Sequence, residues 1–137
     1  METLFLFIGE NYIVFFLLLF FILLLFLHEK NQGGKKIDSN EVTRLINKED
    51  GLLLDLRSSS EYSSGHIVGA YNVEPKQILE KINSLKTPKE RPIILICRTG
   101  SNSSSASKEL KKVGFQSINV MSGGMMSWQS QGLPLSK

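Results

Sequence analysis

The fold of this chain is decided by the stretch Ile93-Ile-Leu-Ile-Cys97-Arg-Thr-Gly-Ser-Asn-Ser103. Its apolar run has no polar alternation, which predicts a strand that is buried on both faces, as in a parallel sheet. The strand leads the only cysteine of the chain into a loop of small polar residues, and a helical pattern follows. Open α/β sheets bind ligands at this place, beyond the carboxyl ends of their strands. A cysteine that ends an apolar strand is equally compatible with a small buried hydrophobic residue, so position alone leaves both interpretations of Cys97 open.

Strands and helices alternate along the rest of the chain. Apolar runs predict further strands at Leu52–Leu56, Tyr71–Val73 and Ser117–Met121. Asp38, with Glu41 three residues later, has the spacing of a helix-capping box. This alternation predicts an α/β fold, namely a small parallel sheet with helices on both faces. The helices themselves are predicted after Asp38, in a short segment before Gly65, from Pro75, at Ser103–Val113 and at Met125–Gln131.

Length and composition limit the classes of function. The 137 residues provide room for one compact domain beside an apolar N-terminal segment. One cysteine excludes an intramolecular disulfide framework and a metal site built from several cysteines, and we expect neither a metal nor a cofactor. All 16 Lys and Arg residues lie at Lys30 or later, where they alternate with acidic residues and form no basic stripe interleaved with aromatic residues. A nucleic-acid partner is therefore not expected.

The N-terminal segment is almost wholly apolar from Leu4 to Leu27. Its uncharged part, Tyr12–Leu27, would form a helix of roughly 24 Å, slightly shorter than the hydrocarbon core of a bilayer. Core helices seldom carry Phe and Leu on every face, and a cleaved signal peptide is disfavoured because no Lys or Arg precedes the apolar run. We expect a single-pass transmembrane helix that begins near Leu4 if Glu10 and Asn11 lie at headgroup depth.

The charges that flank this helix predict its orientation. Glu2 and Glu10 lie on the N-terminal side, whereas Lys30, Lys35 and Lys36 follow the apolar run. By the positive-inside rule the N-terminus is expected outside and the domain in the cytoplasm, where a reducing environment suits a single cysteine. The expected organisation is an anchor at residues 1–28, a flexible linker at 29–36 and a domain at 37–137.

The loop after Cys97 has the composition of an anion cradle. A helix that begins near Ser103 presents unpaired backbone N–H groups and the positive end of its dipole, which stabilise a thiolate or a bound anion. Arg98 adds a cation, and Gly100 permits a tight curl that points successive N–H groups inward. Cysteine-dependent phosphatases also need an arginine six positions after the nucleophile to clamp phosphate, and that position here is Ser103. Sulfur transfer needs only the thiolate and the cradle, so the loop favours sulfur transfer over phosphate hydrolysis.

Three ordered stretches together resemble the motifs of the rhodanese-like (sulfurtransferase) family. They are Asp55-Leu-Arg-Ser-Ser-Ser-Glu-Tyr-Ser-Ser-Gly-His-Ile-Val-Gly-Ala-Tyr-Asn72, Cys97-Arg-Thr-Gly-Ser-Asn-Ser103, and Gly123-Gly-Met-Met-Ser-Trp128 with Gly132-Leu-Pro134 after it. The resemblance covers Ile37 to the C-terminus. It implies a rhodanese-like fold in a single-domain bacterial protein that the N-terminal helix anchors in the inner membrane.

The resemblance also implies roles for individual residues. Cys97 would be the catalytic nucleophile that carries sulfur as a persulfide between a small donor, such as thiosulfate, and an acceptor thiol. Asp55 and Arg57 would support the site, mostly as a scaffold ion pair. Many family members carry arginine at the position of Asn102, so weak activity with thiosulfate is expected here. The loop that binds substrate would consist of Arg98, Thr99, Gly100, Ser101, Asn102 and Ser103.

Two functions of different class follow from these observations. The first is a membrane-anchored sulfurtransferase. The second is a non-enzymatic rhodanese-fold interaction module that is tethered to a membrane-protein complex, which the missing loop arginine and the anchor motivate. A phosphatase is the weakest alternative because of Ser103.

Overall fold

The computed structural model describes residues 1–30, 33–99 and 102–137, with Glu29 and Lys30 described by their backbone alone. Asn31 and Gln32 of the predicted linker, and Gly100 and Ser101 of the predicted loop, lie outside the described residues. The chain divides into two compact units, Met1–Gln32 and Gly33–Lys137.

The N-terminal unit consists of two helices, α1 (Glu2–Glu10) and α2 (Tyr12–Lys30). The expectation of one continuous helix from Leu4 is wrong, because the chain bends by 79° between them. Asn11 ends α1 by directing its backbone N–H and its side-chain amide to the carbonyl of Phe7, at 3.1 and 3.0 Å. Among the described residues no single helix is both long enough and apolar enough to cross a membrane. The two helices together meet that requirement by length and composition alone.

The second unit is built on a five-stranded sheet in the order β1-β5-β4-β2-β3, in which every pairing is parallel. The central strand β4 is buried at every position, as the unbroken apolar run predicts. The carboxyl ends of all strands meet at one edge of the sheet, which is where Cys97 follows β4. The strands are β1 (Lys35–Ile37), β2 (Leu52–Asp55), β3 (Tyr71–Asn72), β4 (Ile93–Ile96) and β5 (Ile118–Met121).

Helices cover both faces of the sheet and enclose two apolar cores, which confirms the predicted fold class. One core contains Ile78 and Leu110 from the helices on the first face, and the other contains Val42 and Trp128 from the second. Asp38 caps the first helix of this unit as predicted, since its carboxylate accepts from the backbone N–H of Glu41 at 2.8 Å. The helices are α3 (Ser39–Glu49), α4 (Ser59–Ser64), α5 (Ile78–Ser84), α6 (Asn102–Lys112) and α7 (Gly124–Ser130), and a 3₁₀ turn (Pro75–Gln77) precedes α5.

The predicted flexible linker is wrong for Lys35 and Lys36, because both residues lie in β1. This strand pairs with β5, with Lys36 opposite Val120, and the backbone N–H of Ser122 donates to the carbonyl of Ile37 at 2.8 Å. A Lys-Lys-Ile sequence has no apolar pattern of its own, so only the pairing with β5 makes it a strand. The compact unit accordingly begins at Gly33 rather than at residue 37.

Candidate active site

Cys97 lies where the central strand of the sheet ends. Its residue is only 2% exposed and belongs to the core on the α5 and α6 side. The carbonyl of Ile96, just before it, accepts from the backbone N–H of Leu56 at 2.7 Å, so β2 holds the strand up to its last residue. Cys97 therefore follows directly on a strand that is paired to its last residue, and it is almost completely buried.

Three of the four described residues of the predicted loop are exposed, and one is buried. Arg98, Thr99 and Asn102 are exposed, whereas Ser103 is completely buried. Among the described residues the hydroxyl of Ser103 has no hydrogen-bond partner. Buried hydroxyl groups normally have a partner, so this hydroxyl is suited to bind a ligand.

The loop leads into the N-terminus of α6, which begins at Asn102 and is long enough to carry a substantial dipole. Backbone N–H groups at such a terminus stabilise a thiolate, a persulfide or another anion. The site therefore combines a deeply placed sulfur atom with the positive end of a helix.

A close contact with α7 holds the loop from the other side. The backbone N–H groups of Met125 and Met126 donate to the carbonyls of Cys97 and Arg98, at 2.9 and 3.3 Å. A Cβ atom on Gly124 would lie 2.2 Å from the carbonyl oxygen of Cys97, and the φ of Gly124 is +56°. Only glycine fits this position without displacing the loop.

Asp55 and Arg57 form a buried ion pair at the end of β2, the strand next to β4. The guanidinium donates to both carboxylate oxygens at 2.8–3.1 Å, and its Nη2 also donates to the carbonyl of Gly65 at 2.7 Å. Asn72 donates from its side chain to the backbone carbonyls of both residues. These hydrogen bonds tie the segment before Gly65 to the sheet, which is a supporting role.

His66 is held in the scaffold. Its ring stacks on Tyr62 with the ring centres 3.7 Å apart, and its Nδ1 lies 2.8 Å from the carbonyl of Tyr62. Its backbone pairs with Ser136 in both directions. In the part of the chain that the structure describes, no group of His, Cys, Asp or Glu side chains is placed to hold a metal ion.

Two clefts flank the loop. One, the arginine cleft, has a volume of about 400 Å³ and is bordered by Arg57, Glu61, Arg98, Met125 and Met126. The other, the lysine cleft, has a volume of about 270 Å³ and is bordered by Lys36, Thr99, Ser104, Val120 and Ser122. Sequence reasoning missed Lys36, because its residue was assigned to a linker and no local pattern connects it to the loop.

Comparisons with known proteins agree with the fold. The chain is 35% identical over 102 residues to the uncharacterized protein YibN of Escherichia coli, and the aligned residues cover 74% of this chain and 71% of that protein. It is 33% identical over 101 residues to a sulfurtransferase of Allochromatium vinosum, and the aligned residues cover 73% of this chain and 92% of the relative.

The structure also superimposes on a thiosulfate sulfurtransferase from Pseudomonas aeruginosa, with a TM-score of 0.69 and 23% identity. That match covers 78% of this chain and only 20% of the longer protein, so it speaks for the fold alone. The model of the rhodanese-like domain matches residues 38–131. This match spans more than half of the chain and includes the Cys97 loop, and the chain therefore belongs to the rhodanese-like domain family.

Proposed function

We propose that this chain is a sulfurtransferase that carries sulfane sulfur as a persulfide on Cys97. The observation that carries the proposal is the position of Cys97, which follows the central strand directly and enters a loop that ends at the N-terminus of α6. The membership of the family and the sulfurtransferase among the relatives support the same reaction class.

The proposed reaction has two displacements at sulfur. The Cys97 thiolate attacks the outer sulfur of thiosulfate, the sulfur–sulfur bond of the donor breaks, and its electron pair leaves with sulfite. An acceptor thiolate then attacks the outer sulfur of the persulfide, and the Cys97 thiolate leaves with the electron pair of the broken bond. The dipole of α6 and the backbone N–H groups at its terminus stabilise the anionic sulfur in both steps.

Individual loop residues contribute to this proposal in different ways. Arg98 supplies a cation at the arginine cleft, and the buried hydroxyl of Ser103 supplies a donor that the described scaffold leaves unused. Asn102 is exposed and uncharged. Because the loop has one cation fewer than in many members of the family, we expect thiosulfate to be a slow donor. Gly100 and Ser101 remain predicted members of the cradle.

The decisive experiment measures the intact mass of the full chain in detergent before and after thiosulfate treatment. The expected result is a gain of one sulfur atom that a reductant removes. Cys97→Ser should show no gain. A matched control, Cys97→Ser with Ser130→Cys, moves the only thiol to an exposed position on α7 and should also show none. A parent protein that gains no sulfur, or a Ser130→Cys control that gains as much, would contradict the proposal.

We further propose that the N-terminal unit anchors the domain to the inner membrane of a bacterium, with the N-terminus outside and the domain in the cytoplasm. The large apolar side chains from Tyr12 to Leu27 are exposed in the unit by itself, as a lipid-facing helix requires. The test is flotation of the full chain with vesicles, followed by protease treatment of intact inverted membranes. Release of the domain by protease agrees with the proposed orientation, whereas a chain that stays with the soluble fraction contradicts the anchor.

The second candidate is an interaction module that binds a membrane protein without transferring sulfur. The observation that favours it is the burial of Cys97, which is only 2% exposed. Co-purification of membrane proteins that survives Cys97→Ser, in a protein that acquires no sulfur, would support this candidate over the enzyme.

A further inference from the structure

We propose that the lysine cleft binds the oxyanion end of the sulfur donor, with Lys36 as the residue that recognises its charge. This inference rests on the proposed sulfurtransferase function and deepens it. The oxyanion is either the sulfonate of thiosulfate or a carboxylate of a low-molecular-weight thiol persulfide, since both present the same negatively charged oxygens.

The pairing of β1 with β5 fixes the face of the sheet on which the side chain of Lys36 lies. Lys36 pairs with Val120 of β5, and Val120 belongs to the core on the α6 side. Parallel neighbours in a sheet point to the same face, so the side chain of Lys36 lies on the face that α6 covers.

Two contacts with α6 fix the beginning of β1. The backbone N–H of Gly34 donates to the hydroxyl of Ser107 at 2.8 Å, and the ammonium of Lys111 donates to the carbonyl of Gly33. The position of Lys36 relative to the loop is therefore set by the sheet and by α6 together.

The residues that border the lysine cleft suit an anion. Thr99, Ser104 and Ser122 carry hydroxyl groups, Lys36 is the cation, and none of the described residues that border the cleft is acidic. No carboxylate of the described residues forms an ion pair with Lys36. Thr99 and Ser104 come two and seven residues after Cys97, so the cleft borders the segment that carries the nucleophile.

The cleft also has a suitable size. Its volume is about 270 Å³, well above what a single water molecule needs. This space accommodates a sulfonate or a carboxylate group with its first waters. Its described lining residues are different from those of the arginine cleft, to which Arg98 belongs. Lys36 thus supplies, from a distant part of the sequence, a charge that Asn102 does not supply within the loop.

Lys35 provides a matched control. It is the neighbouring residue of the same strand and pairs with Asn119, so its side chain points to the opposite face. The pKa of Glu41 is lowered mainly by its hydrogen bond with Arg44 and to a smaller extent by the charge of Lys35, which agrees with a position of Lys35 on the α3 side. Lys35→Gln and Lys36→Gln remove the same charge from the same strand, on different faces.

The experiment measures the second-order rate of sulfur gain on Cys97 in the full chain in detergent, with three donors. Thiosulfate carries a sulfonate, glutathione persulfide carries carboxylates, and cysteamine persulfide carries an ammonium and no oxyanion. Lys36→Gln is expected to lower the rate about tenfold with an oxyanion donor, as expected for one lost charge-assisted hydrogen bond. Lys35→Gln should stay within about twofold of the parent, and Lys36→Arg should restore most of the rate.

The donors separate the outcomes. A loss with thiosulfate alone identifies the sulfonate, and a loss with glutathione persulfide alone identifies the carboxylate. The inference is overturned if Lys36→Gln behaves like Lys35→Gln with both oxyanion donors, or if the loss is equally large with cysteamine persulfide. A parent protein that gains no sulfur from any of the three donors refutes the sulfurtransferase itself, and the inference falls with it.

Discussion

The neighbouring strands β2 and β4 end side by side, but the polar groups that follow them differ in their hydrogen bonding. Asp55, the last residue of β2, lies opposite Ile96 of β4. The carboxylate of Asp55 and the guanidinium of Arg57 are buried and bonded to each other, and both also bond to nearby backbone. After β4, the buried hydroxyl of Ser103 has no partner among the described residues. A hydrogen-bonded polar network stabilises a scaffold, whereas a buried hydroxyl without a partner in the described scaffold can bind a ligand.

The largest expected effect on stability is at the end of β2, where Asp55 and Arg57 form their ion pair. Asp55→Asn leaves a guanidinium that is only 8% exposed without its carboxylate, and it should lower the free energy of unfolding by about 3–5 kcal/mol. Trp128 is the only tryptophan and lies in the core of the domain, so its fluorescence during denaturation reports the unfolding of this unit. Glu41→Gln, which breaks an exposed ion pair with Arg44, is the control and should have a much smaller effect. Equal effects of the two substitutions would contradict the proposed difference between the two strand ends.

The second effect tests how α7 holds the loop after β4. Gly124→Ala places a Cβ atom 2.2 Å from the carbonyl oxygen of Cys97, and we expect a loss of about 3 kcal/mol in unfolding free energy. Sulfur transfer should fall as well, because the loop must move. Gly132 also has a positive φ, of +68°, but a Cβ there would meet no atom within 4 Å. Gly132→Ala should therefore cost only about 1 kcal/mol and leave sulfur transfer intact; a similar loss of activity there would show that the close approach is not the cause.

A third pair of substitutions compares two buried hydroxyls on the same helix. Ser107 accepts from Gly34 and donates to the carbonyl of Ser104, at 2.8 Å in both cases. Ser107→Ala should therefore destabilise the domain by about 1–3 kcal/mol. Ser103→Ala removes no hydrogen bond to a described residue and should lower the free energy of unfolding much less than Ser107→Ala does, while it slows sulfur gain on Cys97. Denaturation and intact mass on both variants check this opposite pattern, and a Ser103→Ala protein that is destabilised but fully active would exclude a ligand-binding role.

The smallest expected effect is the pH dependence of stability that the exposed ion pair between Glu41 and Arg44 produces. The hydrogen bond from Arg44 lowers the pKa of Glu41 below its ordinary value of 4.5. A carboxyl whose pKa is lowered by folding adds stability above its unfolded value, and that stability is lost as the pH falls through the folded pKa. The Tm of Glu41→Gln should approach that of the parent below pH 4.5 and lie slightly under it at pH 7.

Local sequence patterns are enough to predict most strands and helices of the domain. The apolar runs at Leu52–Leu56 and Ser117–Met121 became β2 and β5 with ends displaced by one residue, because a strand ends where its ladder of hydrogen bonds ends and not where its apolar run ends. The spacing of Asp38 and Glu41 was also sufficient to predict the helix cap, since the carboxylate of Asp38 and the backbone N–H of Glu41 belong to one helical turn. The bend at Asn11 was not predicted, because an exposed polar residue within an apolar segment is compatible with a continuous helix.

The α/β class, the order of the elements from α3 onward and the position of Cys97 between a buried strand and a helix all follow from residues that lie close together in the chain. Three other features are visible only in the folded domain: Lys36 belongs to a fifth strand, a Cβ atom on Gly124 would clash with the carbonyl of Cys97, and the hydroxyl of Ser103 is buried without a described partner. These features depend on pairings between distant segments, and neither hydrophobic periodicity nor turn chemistry records which distant segments meet.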